Sequence, residues 1–176
     1  MKKIVIISVF ILGVANNLNA QFTQVELFTG LDKTDFTLYS NYPINEKNTL
    51  SIATLAFFQK FNKDANTGFD EAGVQPTLFW NINKSVAVGP SIYYNSFAGY
   101  AERLSARLIL KNSRALFVII PTVGHSEQKK AGYAEVFAQF QFISPVNDKV
   151  SLWLNGQFLT IWDKFKTHSR SFQQLR

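Results

Sequence analysis

Two histidines are the side chains best suited to acid–base work near neutral pH, His125 and His168. His125 sits in Gly124-His125-Ser126-Glu127, where a base stands next to a hydroxyl. A nucleophilic serine needs its base within hydrogen-bond reach. Adjacent residues on an extended segment point to opposite sides, so His125 is badly placed to activate Ser126. His168 has no nucleophile at a telling spacing either. There is no cysteine, hence no thiolate nucleophile, disulfide or Cys-based metal site. No histidine pair at ligand spacing, calcium loop or Gly-rich phosphate loop occurs, and the lone Gly124 and Gly132 read as turn residues. The expectation is a non-enzymatic protein without metal or cofactor, both histidines lying solvated in loops.

The more informative polar residues are spread at alternate positions. Gln75, Thr77, Tyr93, Asn95, Arg103, Arg107, Glu135, Gln139, Gln141, Asn155 and Gln157 all recur with period two against apolar neighbours. Such an array does not make a catalytic centre. It makes one wet or buried polar face of a sheet, and Arg103 and Arg107 stand near enough to Glu135 across a narrow interior to pair. These residues need strands to position them, and the chain supplies strands almost throughout. From Ala72 to Asn95, Val74, Pro76, Leu78, Trp80 and Ile82 oppose Gly73, Gln75, Thr77, Phe79 and Asn81. A turn at Asn83-Lys84-Ser85 follows, and the alternation resumes, which is the signature of a hairpin. Further hairpins are read around 45–48, 111–114 and 145–149, with first and last strands near 24–29 and 169–176. The total is about ten strands, with eight to twelve compatible.

The turns just named are short, and the other connections, 30–35, 62–71, 96–99, 124–132 and 163–168, are read as longer and more polar. The strands between Leu50 and Trp162 are read as long enough for a tilted crossing of about 9–11 residues, against a mean near five or six in soluble proteins. Composition agrees. Aromatics make up 15% of the chain, with 17 Phe, 6 Tyr and 3 Trp, while charged residues are only 17%. A soluble domain usually carries nearer a quarter. Trp80, Trp153, Trp162, Tyr93, Tyr94, Tyr100 and Tyr133 fall mostly near strand ends, as interfacial girdles do.

The start of the chain has its own grammar. Lys2 and Lys3 precede an apolar stretch from Ile4 to Ala15, and Asn16 to Ala20 close it with a small final residue. That order predicts a secretory signal peptide over 1–20, cleaved after Ala20, with the barrel domain over 21–176. Without Lys2 and Lys3, sixteen Lys and Arg face twelve Asp and Glu, a net charge of +4. The excess is modest and nowhere concentrated, which excludes a nucleic-acid partner. Lys129, Lys130, Lys164, Lys166 and Arg170 could meet lipopolysaccharide phosphates. The turns at the other end carry Lys47, Lys84, Lys111, Arg114 and Lys149 as well, so solvated loop charge is the better reading.

In general plan the chain resembles the small outer-membrane β-barrel proteins of Gram-negative bacteria, many of them of hypothetical function. The resemblance rests on pattern over 22–176. It implies an all-β, antiparallel up-and-down transmembrane barrel in the outer membrane, porin-like in plan and partnered by outer-membrane lipid. Members of that class usually end on an aromatic residue, whereas this chain ends Gln173-Gln174-Leu175-Arg176. The departure implies a fragment or a different closure. Some such barrels are lipid-modifying enzymes, but the His-x-Ser-Asn arrangement of the lipid A deacylases is absent. The expected role is structural, adhesive or that of a narrow channel, with a plugged interior favoured because so few strands enclose only room for side chains. A lipid-modifying enzyme and a soluble periplasmic β-sandwich or barrel binder are the alternatives.

Overall fold

Alternating apolar and polar residues punctuated by Asn-rich turns can bury one face of each strand and must pair every backbone group with a neighbour. The result, in a computed structural model describing residues 22–30, 33–61 and 70–175, is one all-β sheet of ten strands. The segment 1–20, expected to be a signal peptide, lies outside the described residues. The strands are β1 Phe22–Thr29, β2 Lys33–Pro43, β3 Leu50–Phe61, β4 Glu71–Asn81 and β5 Val86–Asn95. They continue as β6 Gly99–Lys111, β7 Ala115–Ser126, β8 Ala131–Pro145, β9 Ser151–Asp163 and β10 Thr167–Leu175. Each is antiparallel to the next, in the order β1 to β10, as an up-and-down meander requires. No ladder joins β1 to β10 among the described residues.

The sheet curls back on itself. Arg107 on β6 meets Tyr39 on β2, Gln174 on β10 meets Asp35 on β2, and Arg170 on β10 meets Glu71 on β4. These partners are far apart in strand order, so the contacts cross the concave side. On β4 the burial alternates residue by residue: Gly73, Thr77 and Phe79 are buried while Val74, Leu78 and Trp80 are exposed. Gly89 marks the tightest approach of two strands, because a Cβ there would strike the Leu78 carbonyl of β4.

Strand lengths run from eight residues in β1 to fifteen in β8. The strands extend further than the sequence suggested at one end of the sheet, and the connections there shrink to 30–32, 96–98, 127–130 and 164–166. Only the 62–70 connection is long. The expected alternation of short turns with longer loops is therefore not found. The polar residues expected in loops are strand ends instead: His125 belongs to β7, His168 to β10, Gly124 to β7 and Gly132 to β8.

The concave side is polar. Buried hydrophobic residues are Ala53, Phe79, Ala87 and Ala101, whereas buried polar or charged ones are Asp35, Ser51, Glu71, Thr77, Ser91, Asn95, Arg103, Ser105, Thr122, Ser126, Asn155 and Thr160. The convex side exposes Leu27, Leu78, Trp80, Ile92, Leu104, Leu110 and many similar residues. A water-soluble sheet protein has the opposite distribution.

Candidate interior site

A buried cation of the concave face, Arg103, stands at the centre of a polar network. Four strands supply it: β4, β5, β6 and β8. The Arg103 guanidinium is almost wholly buried and forms an ion pair with Glu135 of β8. Its Nε donates to the Tyr133 hydroxyl at 2.7 Å, and its Nη1 donates to the Gln75 amide oxygen on β4. The Tyr93 ring lies 4.3 Å from the guanidinium carbon, a cation–π distance. Gln75 passes the connection on, donating to Thr77 at 3.3 Å and to Ser91 at 3.2 Å. Arginine suits this place because its planar fork offers donors in several fixed directions and keeps its charge when buried.

Glycine at position 124 positions one of these partners. Any Cβ there would come within 2.6–2.8 Å of the Tyr133 ring, so only the bare backbone of β7 lets Tyr133 lie down beside Arg103. Its neighbour toward the strand ends is a second acidic node. Asn95 donates to Glu71 at 2.6 Å and to the Tyr93 hydroxyl at 2.9 Å, and Glu71 holds Arg170 at 3.1 Å. Arg170 also lies over the Phe172 ring at 4.4 Å.

Four residues further along β6, Arg107 makes a separate set of contacts. It donates to Asn81 at 3.1 Å and to the Tyr39 hydroxyl at 3.4 Å, and its guanidinium lies 4.4 Å from the Phe79 ring. Asn81 in turn donates to Ser51 and to the Asn48 carbonyl. The small buried cluster of Ala53, Phe79 and Ala87, with Tyr39 against it, lies under this arginine. Near the edge strands, Asp35 receives Lys33 at 3.0 Å and Gln174 at 3.3 Å.

All seven interior candidates, Gln75, Tyr93, Arg103, Arg107, Glu135, Gln139 and Gln141, lie on the concave face. The structure brings the first three together with Glu135. It does not pair Arg107 with Glu135, because Asn81 and Tyr39 are closer partners. Gln139 reaches Asn155 at 3.4 Å, away from the network. Glu71 and Arg170 were missed by sequence reading. Glu71 reads from sequence as part of the 62–71 loop and Arg170, at the start of the last strand, as a solvated cation; β4 begins at Glu71, which is buried and meets Arg170. Tyr93 and Tyr133 are not girdle residues, since both take part in the interior network. Trp80, Tyr94, Tyr100 and Trp162 lie on the convex face, with the Tyr94 and Tyr100 rings 4.9 Å apart and tilted by 49°.

The histidines divide as the strand geometry dictates. His125 is exposed on the convex side, while Ser126 is buried at 6% exposure on the concave side. They do not form a pair. His168 behaves differently. An irregularity in register between His168 and Arg170 inserts Ser169 as an extra residue, which brings His168 and Ser171 to one face. His168 Nε2 and Ser171 Oγ are 2.8 Å apart. Sequence spacing gave no hint of that pair, because a bulge changes parity without a distinctive residue. Among the described residues, no group of three or more His, Asp or Glu could hold a metal ion. In comparisons with known proteins the sequence matches no family model and no curated protein.

Removing Arg103 leaves Glu135 as a buried carboxylate without its countercharge. Arg103→Ala is expected to lower unfolding stability by about 3–5 kcal/mol, the usual cost of breaking one side of a buried pair. The double variant Arg103→Met/Glu135→Met should recover more than half of that loss. Denaturant midpoints of the folded protein measure both. A small effect in the single variant would remove Arg103 from the centre of the interior.

Proposed function

We propose that the chain is an exported β-barrel protein of the Gram-negative outer membrane, with its interior closed by its own side chains and a structural rather than transporting role. The observation that carries this reading is the inverted distribution of polarity. Among the described residues, twelve polar or charged ones are buried against four hydrophobic ones, and large apolar side chains cover the convex surface. Water opposes that arrangement, because it exposes apolar area worth roughly 25 cal/mol per Å² and buries groups that need partners. Hydrocarbon favours it, and a ten-stranded up-and-down sheet crosses a bilayer once its β1 and β10 edges close on each other. No helix among the described residues is long and apolar enough to cross a membrane, which has no bearing on strands.

The same contacts support a closed interior. Arg103, Ser105, Thr122 and Asn155 are all at 7% exposure or less, so other side chains crowd around them. An adhesive role needs projecting loops, and the connections that lie wholly among the described residues are short. A lumen of this width filled by its own side chains offers no path for a solute.

A lipid-modifying enzyme is the second reading, favoured by the His168–Ser171 hydrogen bond on the convex face beside Trp162, whose ring lies 6.3 Å from the imidazole. A hydroxyl with its base in contact is the beginning of a nucleophile. No carboxylate among the described residues holds the other ring nitrogen in place, so the structural reading stands first.

Two experiments separate these readings. The mature chain should fractionate with outer membranes, and Leu108→Arg, a charge on the convex face, should cost about 2–4 kcal/mol near the bilayer midplane. Gln139→Ala on the concave face should cost much less. Recovery as a soluble periplasmic monomer, or equal sensitivity at the two positions, contradicts the proposal. His168→Ala and Ser171→Ala should leave the lipid A acylation pattern unchanged. A general base contributes roughly 10²–10⁴-fold, so loss of a lipid product in both variants would put the enzyme reading first.

A further inference from the structure

The four hairpin turns at one end of the sheet are built alike. Asn83, Asn112 and Asn147 each accept, through the side-chain oxygen, the backbone N–H groups two and three residues on, at 2.7–2.9 Å. Asn45 does the same in a wider turn, accepting from Thr49 at 2.9 Å and Leu50 at 3.3 Å. Asparagine in this role fixes a tight reversal by mimicking a backbone turn. Each turn thereby presents the residue one or two places beyond its asparagine at the tip, and that residue is Lys47, Lys84, Arg114 or Lys149. Lys111 precedes Asn112 at the same level. All five cations are exposed, and only Glu46 and Asp148 share these turns with them.

None of the five forms an ion pair with a carboxylate among the described residues. The opposite end differs, since Lys33, Lys129 and Arg170 there are held by Asp35, Asp163 and Glu71 at 2.9–3.1 Å. Immediately above the asparagine turns, the convex face carries Leu50, Trp80 and Leu110, exposed at 38%, 59% and 65%. An apolar belt bounded by a ring of unneutralised cations has the layout of a surface set at the boundary between acyl chains and headgroups. Lysine and arginine stems lie along apolar surface while their charges reach toward the phosphate layer.

We propose that this rim is a binding surface for anionic phospholipid headgroups, whose phosphates the five turn cations gather around one end of the barrel. The inference rests on the membrane reading above. A zwitterionic headgroup neutralises its own phosphate, so a rim with excess positive charge selects lipids of net negative charge. At the opposite rim Lys33, Lys129 and Arg170 are held by acids, and the exposed Glu102 and Glu127 stand against the unpaired Lys130, Lys164 and Lys166, so the preference there is weaker.

One convex-face tryptophan stands at each end: Trp80 precedes the Asn83 turn, and Trp162 lies at the far rim beside His168. The full mature chain is folded into phosphatidylcholine vesicles containing a fixed fraction of phosphatidylglycerol, with bromine on the acyl chains of either lipid at equal mole fraction. Trp153→Phe/Trp162→Phe leaves Trp80 as the reporter, and Trp80→Phe/Trp153→Phe leaves Trp162. Trp80 emission should be quenched at least about twice as strongly by brominated phosphatidylglycerol as by brominated phosphatidylcholine, and high salt should shrink the difference. Trp162 should show a smaller preference than Trp80. Replacing Lys47, Lys84, Lys111, Arg114 and Lys149 with Gln should abolish the Trp80 preference; Lys84→Gln/Arg114→Gln should reduce it if the fivefold variant does not fold. Equal quenching of Trp80 by the two lipids overturns the rim proposal and leaves the membrane reading intact. No quenching of either tryptophan by either lipid overturns both.

Discussion

The structure depends on one buried charge being fully accounted for. Arg103 stands in the middle of the sheet, on β6, and its guanidinium reaches β4 in one direction through Gln75 and β8 in the other through Glu135 and Tyr133. A lone buried arginine would be prohibitive, and a buried arginine each of whose three nitrogens has an acceptor is a clamp. It ties strands two places away on either side, so the curvature of the sheet and the filling of its interior are the same event. Gly124 belongs to this clamp although it makes no polar contact, because it leaves the volume that the Tyr133 ring occupies.

The rest of the interior repeats that logic at lower charge. Ser105 and Thr122 bond across β6 and β7 at 2.8 Å, Gln75 bridges to Ser91, and Asn95 bridges Glu71 to Tyr93. Each of these is a polar pair where a soluble sandwich would place leucines. Many large apolar residues face outward, while inside Phe79 with Ala53 and Ala87 serves as a floor for Arg107. Leu55, Phe57, Ile120, Phe137 and Leu159 share the concave face with the polar residues, so hydrogen bonds and apolar contacts together fill the interior.

Much of this was legible in the sequence, for a physical reason. A strand has period two, so Gln75, Thr77 and Phe79 are bound to share a face whatever the tertiary structure, and the same holds for Arg103 with Arg107 and for Glu135 with Gln139. Ten strands in an up-and-down sheet followed from counting those alternations between Asn turns. Partner choice was not legible. Arg103 and Arg107 are equivalent in pattern, and only curvature decides that one meets Glu135 while the other meets Asn81 and Tyr39. Strand ends were also hidden, since polar residues at 124–132 and 163–168 read as loop. Parts of them continue as strand because their backbones pair, His125 with Gly132 and Thr167 with Asp163. The His168–Ser171 pair depends on an extra residue at Ser169, and a bulge of serine among polar neighbours leaves no mark on the alternation.

The central claim is that concave residues are sealed from lipid and convex residues meet it. Spin labels placed singly along β4, from Val74 to Asn81, read that directly in reconstituted vesicles through collision with oxygen, which concentrates in hydrocarbon. Labels at 74, 76, 78 and 80 should show high oxygen accessibility, and labels at 75, 77, 79 and 81 should be shielded from both oxygen and a water-soluble collider. A period of two with the opposite phase, or water access at the even positions, would contradict it.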